Sequence, residues 1–281
     1  MSGLAGKRVF ITGAARGIAA ATARRLYARG ARVALAGLEP DLLQAVAREC
    51  GNAPALECDV RDRPQLEDAV EFAVQGLGGL DVVVACAGTA AQLPLMGGDP
   101  TVFERTIEVN LLGVYYTFRA AAPHIAHPGG YALAISSLAA AVHPPLLGAY
   151  SASKAGVEAL SNSLRTELAS SGARVGVAYF AELDTDMTQR GFGTKAAEMM
   201  KTAGGPFTRV APLEVGVKAI ERGIERRSRR VVAPGWVAAV LPIRMLAQRI
   251  VELGSRRGLD AALEVAREEN APLTTPQPPR L

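Results

Sequence analysis

Tyr150 and Lys154 stand four residues apart in Tyr150-Ser151-Ala152-Ser153-Lys154, with Ser136-Ser137 a short way upstream. If residues 150–165 are helical, the two side chains share one face, with an ammonium beside a phenol. A fixed cation favours phenolate and pulls the phenol down from its ordinary value of about 10. A tyrosine tuned in this way serves as acid or base near neutrality. Ser137 would add a hydroxyl donor to an oxygen that gains or loses charge. Tyr and Lys at this spacing are common in helices, so the surrounding elements must decide what the pair means.

Those elements begin with Lys7–Thr12, a short apolar strand that runs into Gly13-Ala14-Ala15-Arg16-Gly17-Ile18-Ala19 and then an alanine-rich helix closed near Gly30. Small residues at a strand-to-helix turn let the backbone approach a phosphate, and the free N–H groups of the helix favour the anion. An ordinary tight turn would have the same composition. A second strand, 31–36, leads into Gly37-Leu38-Glu39, and a third, 55–58, into Asp59-Val60. Asp59 either faces a ligand at a strand's carboxyl end or caps the helix that starts near Asp62-Arg63-Pro64.

A fourth strand, 81–88, ends in Cys86-Ala87-Gly88, and the long helical pattern 101–124 holds Asn110, a residue that competes with helical backbone and fits a kink. The fifth strand, 131–135, delivers Ser136-Ser137. A proline-containing loop leads to the helix of Tyr150 and Lys154, and a sixth strand follows at 174–179. Strands alternating with helices predict an α/β fold, a single Rossmann-like, doubly wound parallel sheet with helices on both faces. In such a sheet the ligand crevice lies at the strand carboxyl ends, where these candidates fall.

Composition fits that reading. The 281 residues are 49% hydrophobic and 21% charged, with 29 glycines, which argues against a disordered chain. The net charge of +4 is concentrated in Arg222, Arg226, Arg227, Arg229 and Arg230, a late patch rather than a basic surface, and no nucleic-acid partner is expected. Three cysteines, Cys50, Cys58 and Cys86, have no metal-ligand spacing and suit a reducing compartment. With no apolar leader region and no long apolar run, the expectation is a soluble, cytoplasmic protein.

Thr12-Gly13 with Gly17-Ile18-Ala19, then Asp59-Val60, Ala87-Gly88, Asn110, Ser137 and Tyr150 with Lys154, resemble in order and separation the short-chain dehydrogenase/reductase family of classical type, over residues 7 to about 190. The resemblance implies hydride transfer between a nicotinamide and a carbonyl or carbinol carbon of a small molecule. Tyr150 would be the acid/base and Lys154 would hold the nicotinamide ribose. Ser137 would polarise the substrate oxygen, and Asn110 would join a proton relay. Gly13, Arg16, Gly17 and Ile18 would line the pyrophosphate and adenosine site, Asp59 and Val60 the adenine, and Ala87 and Gly88 the adjacent crevice. Thr185 would bond the carboxamide. A homodimer or homotetramer packed through 101–124 and 150–170 is also implied.

The chain departs from the family pattern in three places. Ala19 replaces the third glycine of the phosphate turn, Cys86 an asparagine after strand four, and Phe180-Ala181 a Pro-Gly after strand six. Gly37 lacks the carboxylate that would hold ribose hydroxyls, and Arg16 offers a cation to a 2′-phosphate, so NADP(H) is favoured over NAD(H). Glu39 turned inward would reverse that preference.

The substrate side reads as Leu93, Leu95, Leu138, Val142, His143, Pro145, Leu147, Phe192, Met199 and Met200, a mostly apolar lining suited to a lipophilic alcohol or ketone. His143 reads as a loop residue. Residues 184–210 are expected to be a lid. The organisation expected is a catalytic domain over 1–233, a helical extension over 234–270 and a disordered tail over 271–281. The extension, with Trp236, Val240, Leu241, Ile243, Leu246 and Ile250 beside arginines, either packs on the pocket or a partner subunit, or meets a membrane surface. An enzyme of this kind and a catalytically silent nucleotide-binding sensor or scaffold of the same fold are the two functional readings. The full set of reacting groups favours the enzyme.

Overall fold

The computed structural model describes residues 3–191, 194–202 and 210–275. The elements run β1 (Arg8–Thr12), α1 (Gly17–Ala28), β2 (Arg32–Gly37), α2 (Pro40–Glu49), β3 (Ala55–Glu57), α3 (Arg63–Leu77), β4 (Val82–Ala85), α4 (Pro100–Ile107), α5 (Gly113–Ile125), β5 (Tyr131–Ile135), α6 (Gly148–Glu167) and β6 (Arg174–Phe180). After these come α7 (Asp186–Gly191), α8 (Lys195–Thr202), α9 (Leu213–Arg226), β7 (Arg230–Ala233), α10 (Val237–Val240), α11 (Arg244–Ser255) and α12 (Leu259–Glu269).

The seven strands form one parallel sheet in the order β3-β2-β1-β4-β5-β6-β7. The order reverses at β1, so a crevice opens between the carboxyl ends of β1 and β4. Because both faces are covered, strands read as continuous apolar runs, with successive side chains entering opposite layers. Val82 and Val84 of β4 join the layer that contains Leu26, Leu43 and Ile220, while Val83 and Ala85 join the layer of Leu66, Val70 and Phe118. The sheet is thereby fixed rigidly beneath its carboxyl edge.

Local chemistry sets the helix boundaries. The Asp62 carboxylate accepts from Gln65 N at 3.1 Å and caps α3, Pro64 sits in the first turn, and Gly78 ends the helix in the left-handed region. The single helix expected over 101–124 is interrupted. A π-helical turn, Glu108–Leu112, separates α4 from α5 and carries Asn110. Such turns widen the helix and re-aim a side chain.

The extension packs onto the same body. Val237, Val240, Leu241 and Ala247 share a small core with Val177 and Tyr179 of β6 and with Leu138 and Val142 of the loop after β5. Among the described residues no helix is long and apolar enough to cross a membrane.

Candidate active site

The turn after β1 is shaped by two glycines in the left-handed region, Gly13 at φ +70° and Gly17 at φ +59°. A Cβ on Gly13 would lie 2.7 Å from Ala87 Cα, so only glycine lets the turn lie against the end of β4. The Ala19 methyl is buried in the core layer under α1, and helix and sheet accommodate it by packing around it. Thr12 supplies a tie between β1 and β4: its Oγ1 accepts from Cys86 N at 3.1 Å and from Ala87 N at 3.4 Å. Burial pushes the Cys86 thiol up to about 12, so it is a neutral packing group.

At the β2 end of the crevice, Glu39 is paired with Arg16. Arg16 Nε donates to Glu39 Oε2 at 2.6 Å, and Arg16 also lies 3.9 Å from Asp186 at the start of α7. Gly37 backs onto the turn, where an added Cβ would meet Ala15 N at 3.3 Å. The helix-cap reading of Asp59 is corrected. Its carboxylate is clasped by Arg61, whose backbone N and Nε donate to it at 3.0 Å, and the capping of α3 falls to Asp62. Of that pair only Val60 faces the cleft.

Tyr150 and Lys154 do lie on one helix, α6, and Ser137 follows β5. Lys154 is buried, its Nζ donates to Ile135 O at 2.9 Å, and it stands 5.5 Å from the centre of the Tyr150 ring. Ser137 Oγ accepts from Ala139 N at 3.1 Å and donates to Phe180 O at 3.3 Å. Burial lifts the Tyr150 phenol above its ordinary value, and the neighbouring Ser137 hydroxyl offsets only part of that rise. Burial is the larger influence on the phenol here, and the Lys154 ammonium is bonded to the Ile135 carbonyl. Burial also brings Lys154 down to about 8.

Asn110 stands behind these groups, wholly buried. Its Oδ1 accepts from Thr89 N at 2.8 Å, and its Nδ2 donates to Thr89 O at 2.9 Å and Ser153 Oγ at 3.1 Å. Gly88 lies between the two polar groups: a Cβ there would stand 3.4 Å from Asn110 Oδ1 and 3.7 Å from Lys154 Nζ. The π-turn is what aims Asn110 across to the end of β4.

One cleft of about 420 Å³ joins these parts. It is lined by Gly13, Arg16, Gly17, Ile18, Gly37, Val60, Ala87, Gly88, Ser137, Tyr150, Lys154 and Thr185, while Asn110 and Asp59 lie outside the lining. The Thr185 hydroxyl is 3.1 Å from that of Thr188. Of the expected substrate residues, Leu138, Val142, Pro145, Leu147 and Met200 line the cleft. Leu93, Leu95 and Met199 do not, and Leu95 is 71% exposed. Phe192 lies outside the described residues. His143 is a loop residue, its backbone N donating to Gln248 Oε1 at 2.7 Å.

The extension contributes Ile250 and Val251 to the cleft wall, and the segment expected to be a disordered tail contributes Thr274 and Thr275. Over Ala271–Thr275 that segment is bonded to the end of β4, with Thr274 N donating to Ala90 O at 2.9 Å. Gln92, Thr274 and Thr275 carried no signal in the sequence, because a polar residue in a loop or tail looks the same whether or not a distant segment covers it.

The chain matches the family model described as short chain dehydrogenase over residues 7–222. The chain belongs to the short-chain dehydrogenase family. Among short-chain dehydrogenase relatives, it is 37% identical over 208 residues to glycine betaine reductase of Emericella nidulans, covering 72% of this chain but only 16% of that much longer protein. It is 35% identical over 170 residues to a 2-dehydro-3-deoxy-L-rhamnonate dehydrogenase (NAD(+)) of a Sphingomonas species, covering 60% of this chain and 68% of that one. A solved dehydrogenase/reductase from Sinorhizobium meliloti superposes with a TM-score of 0.72 at 29% identity, covering 81% of this chain and 93% of the other. The protein is accordingly a short-chain dehydrogenase/reductase enzyme, and the family works with NAD(P) cofactors on small-molecule substrates.

Proposed function

We propose that this short-chain dehydrogenase interconverts a lipophilic secondary alcohol and its ketone, or a primary alcohol and its aldehyde, with Tyr150 as the acid/base, in an NADP(H)-dependent reaction. The observation that carries the reading is that the Tyr150 phenol, the Ser137 hydroxyl and Lys154 line the same cleft as the glycine turn of β1. The cofactor fits the residues present: Gly13 and Gly17 leave a cradle that any side chain would strain, at the N-terminus of α1. When bound, it supplies or accepts the hydride.

The protein's part is orientation and the proton. Ser137 and Tyr150 converge on one oxygen of the substrate. The phenol, held neutral by burial, donates its proton as that oxygen gains charge and recovers it in the reverse direction. Asn110 fixes the Thr89 backbone and Ser153 beside Lys154, the position expected of a relay to Tyr150. Leu138, Val142, Pro145, Leu147, Met200 and Ile250 make the far end of the cleft apolar, which suits a hydrocarbon-rich substrate.

Arg16 beside a carboxylate-free Gly37 supports NADP(H), although the Sphingomonas relative is named for NAD(+). Exposed Phe103, Leu112 and Tyr115 on and between α4 and α5 suit a homodimer or homotetramer interface. On α11, Met245, Leu246 and Leu253 are exposed near Arg249 and Arg256. That mixture suits contact with an anionic lipid surface at the cleft mouth, which Ile250 of the same helix lines.

The test is NADPH oxidation against a panel of lipophilic ketones, with calorimetric titration of the cofactor alongside. Turnover that disappears in Tyr150→Phe while cofactor binding persists supports the reading. Cofactor binding with no turnover across a wide panel would favour the silent sensor or scaffold.

A further inference from the structure

The helix that covers the substrate end, α8, places Ala197 and Met200 on the cleft. Its first N–H groups need acceptors, as at every helix start. Thr194 satisfies one locally, accepting from Ala197 N through Oγ1 at 3.1 Å. The others are met from far along the chain: Lys195 N donates to Glu269 Oε1 at 2.8 Å and Ala196 N to Glu269 Oε2 at 3.2 Å. A carboxylate at this position also complements the helix dipole. Leu146, Ala196 and Ala266 form a small apolar core beneath the junction, with Met200 and Leu263 packed against it.

Asn270, in the left-handed region at φ +39°, ends α12 and turns the chain back toward the sheet. Thr274 then enters a buried site, only 5% exposed. Its Oγ1 accepts from Ala90 N at 3.0 Å and lies 3.3 Å from Thr89 Oγ1, while its N–H donates to Ala90 O at 2.9 Å. Thr89 is the residue whose backbone N–H and carbonyl Asn110 holds. Three residues further, Gln92 Oε1 accepts from Thr194 Oγ1 at 2.7 Å, which returns to the start of α8. Lid helix, C-terminal segment and the stretch after β4 are thus joined in a closed ring of hydrogen bonds around one end of the cleft.

We propose that Glu269–Thr275 is a latch belonging to the substrate site. Glu269 anchors the lid helix, Thr274 seats the segment beside the Asn110 network as a positioning residue, and Thr275 closes the cleft wall and limits the bulk of substrate that fits. The specificity half rests on the oxidoreductase reading; the anchoring half does not. A latch of this kind also explains why a polar segment is held beside the apolar far end of the cleft. The Thr274 hydroxyl and backbone are spent on Ala90 and Thr89, so its polar groups are paired within the protein.

Amide hydrogen exchange on the full-length protein reads the anchoring directly, and a ketone series of increasing bulk reads specificity. Glu269→Ala is expected to speed exchange at Lys195 and Ala196 by about tenfold or more, the loss of one charge-assisted bond. Thr274→Val keeps the shape, removes Oγ1, and is expected to speed exchange at Ala90 and to raise KM several-fold, by more than it lowers kcat. A chain ending at Asn270 is expected to accept bulkier ketones relative to small ones. Exchange at α8 unchanged in Glu269→Ala, or at Ala90 in Thr274→Val, overturns the latch even if the truncated chain does not fold. An unaltered bulk preference in a folded truncated chain overturns the limit assigned to Thr275. Faster exchange with no ketone turned over by any form supports the latch and counts against the oxidoreductase reading.

Discussion

Arg16 Nε donates to Glu39 Oε2 at 2.6 Å across the mouth of the adenosine end of the cleft. The cation that would hold a 2′-phosphate is therefore shared with a carboxylate that would repel one. If NADP(H) is the cofactor, as proposed, Arg16 would exchange part of its bond with Glu39 for the phosphate, whereas NAD(H) would leave the pair intact. Glu39→Gln should raise NADPH affinity about tenfold relative to NADH, the scale of one charge-assisted interaction. Parallel calorimetric titrations of both cofactors check this, and an unchanged ratio would place the 2′-position away from the pair.

Lys154 gives the fold a pH dependence of defined sign. Its ammonium is brought from 10.5 down to about 8 by burial. Below pH 8 both states carry the proton, and the folded state bears the cost of the buried charge. From pH 8 upward the unfolded chain keeps a Lys154 proton that the folded one has lost, so the Lys154 contribution to stability rises with pH, while the buried Cys58 and Cys86 thiols, pushed up by burial, act in the opposite direction from about pH 9. The Lys154 rise is on the order of 2 kcal/mol between about pH 8 and 10. Urea unfolding of wild type and Lys154→Met at pH 7.5, 9 and 10 should show the stability of wild type relative to the variant rising with pH, and a constant difference would remove Lys154 as the cause.

The closeness of the β1 turn to β4 gives a steric prediction. Gly13→Ala puts a Cβ 2.7 Å from Ala87 Cα and 2.9 Å from Ala87 N, at a φ of +70° that side chains disfavour. Because backbone and not a flexible side chain is in the way, the turn must shift. A loss of about 2–4 kcal/mol is expected. The same change at Gly17, where nothing lies within 4 Å of the added carbon, should cost only the conformational part, about 1 kcal/mol. Denaturant midpoints of the two variants would decide; equal losses would mean that the contact with Ala87 is unimportant.

What the sequence made legible and what it did not follow from the range of the interactions. Tyr150 with Lys154, and Gly13 with Gly17, are local patterns on one helix or one turn, and strand-helix alternation gives the sheet that aligns them. The cap of α3 was not legible because the competition of Asp59 with Asp62, and the clasp of Asp59 by Arg61, depend on side-chain geometry within four residues, below the resolution of a pattern. Thr274 and Glu269 were invisible for the opposite reason. Their partners lie 184 and 74 residues away, and a polar residue near a chain's end looks like a solvated one until the fold brings Ala90 and Lys195 to it. The electrostatics of Lys154 belong to the same class, since a four-residue spacing gives proximity to Tyr150 but not the carbonyl of Ile135 that takes the bond.

Asn110 offers the sharpest separation of structure from chemistry. Removing its carboxamide leaves the Thr89 N–H and carbonyl without their partner in a site closed to water, at about 1–3 kcal/mol for each group. Asn110→Ala should therefore lose on the order of 3 kcal/mol in urea unfolding, and Asn110→Leu a similar amount despite its better filling of the space. Asn110→Asp keeps an acceptor for Thr89 N but sets a carboxylate against Thr89 O, and its stability should recover on acidification as that carboxyl takes a proton and donates. If the role at the Thr89 backbone is what matters, ketone turnover in Asn110→Asp should recover at lower pH together with stability. If instead Asn110 acts only through the proton relay, stability recovers while turnover does not, and comparing the two profiles between pH 5.5 and 8 tells them apart.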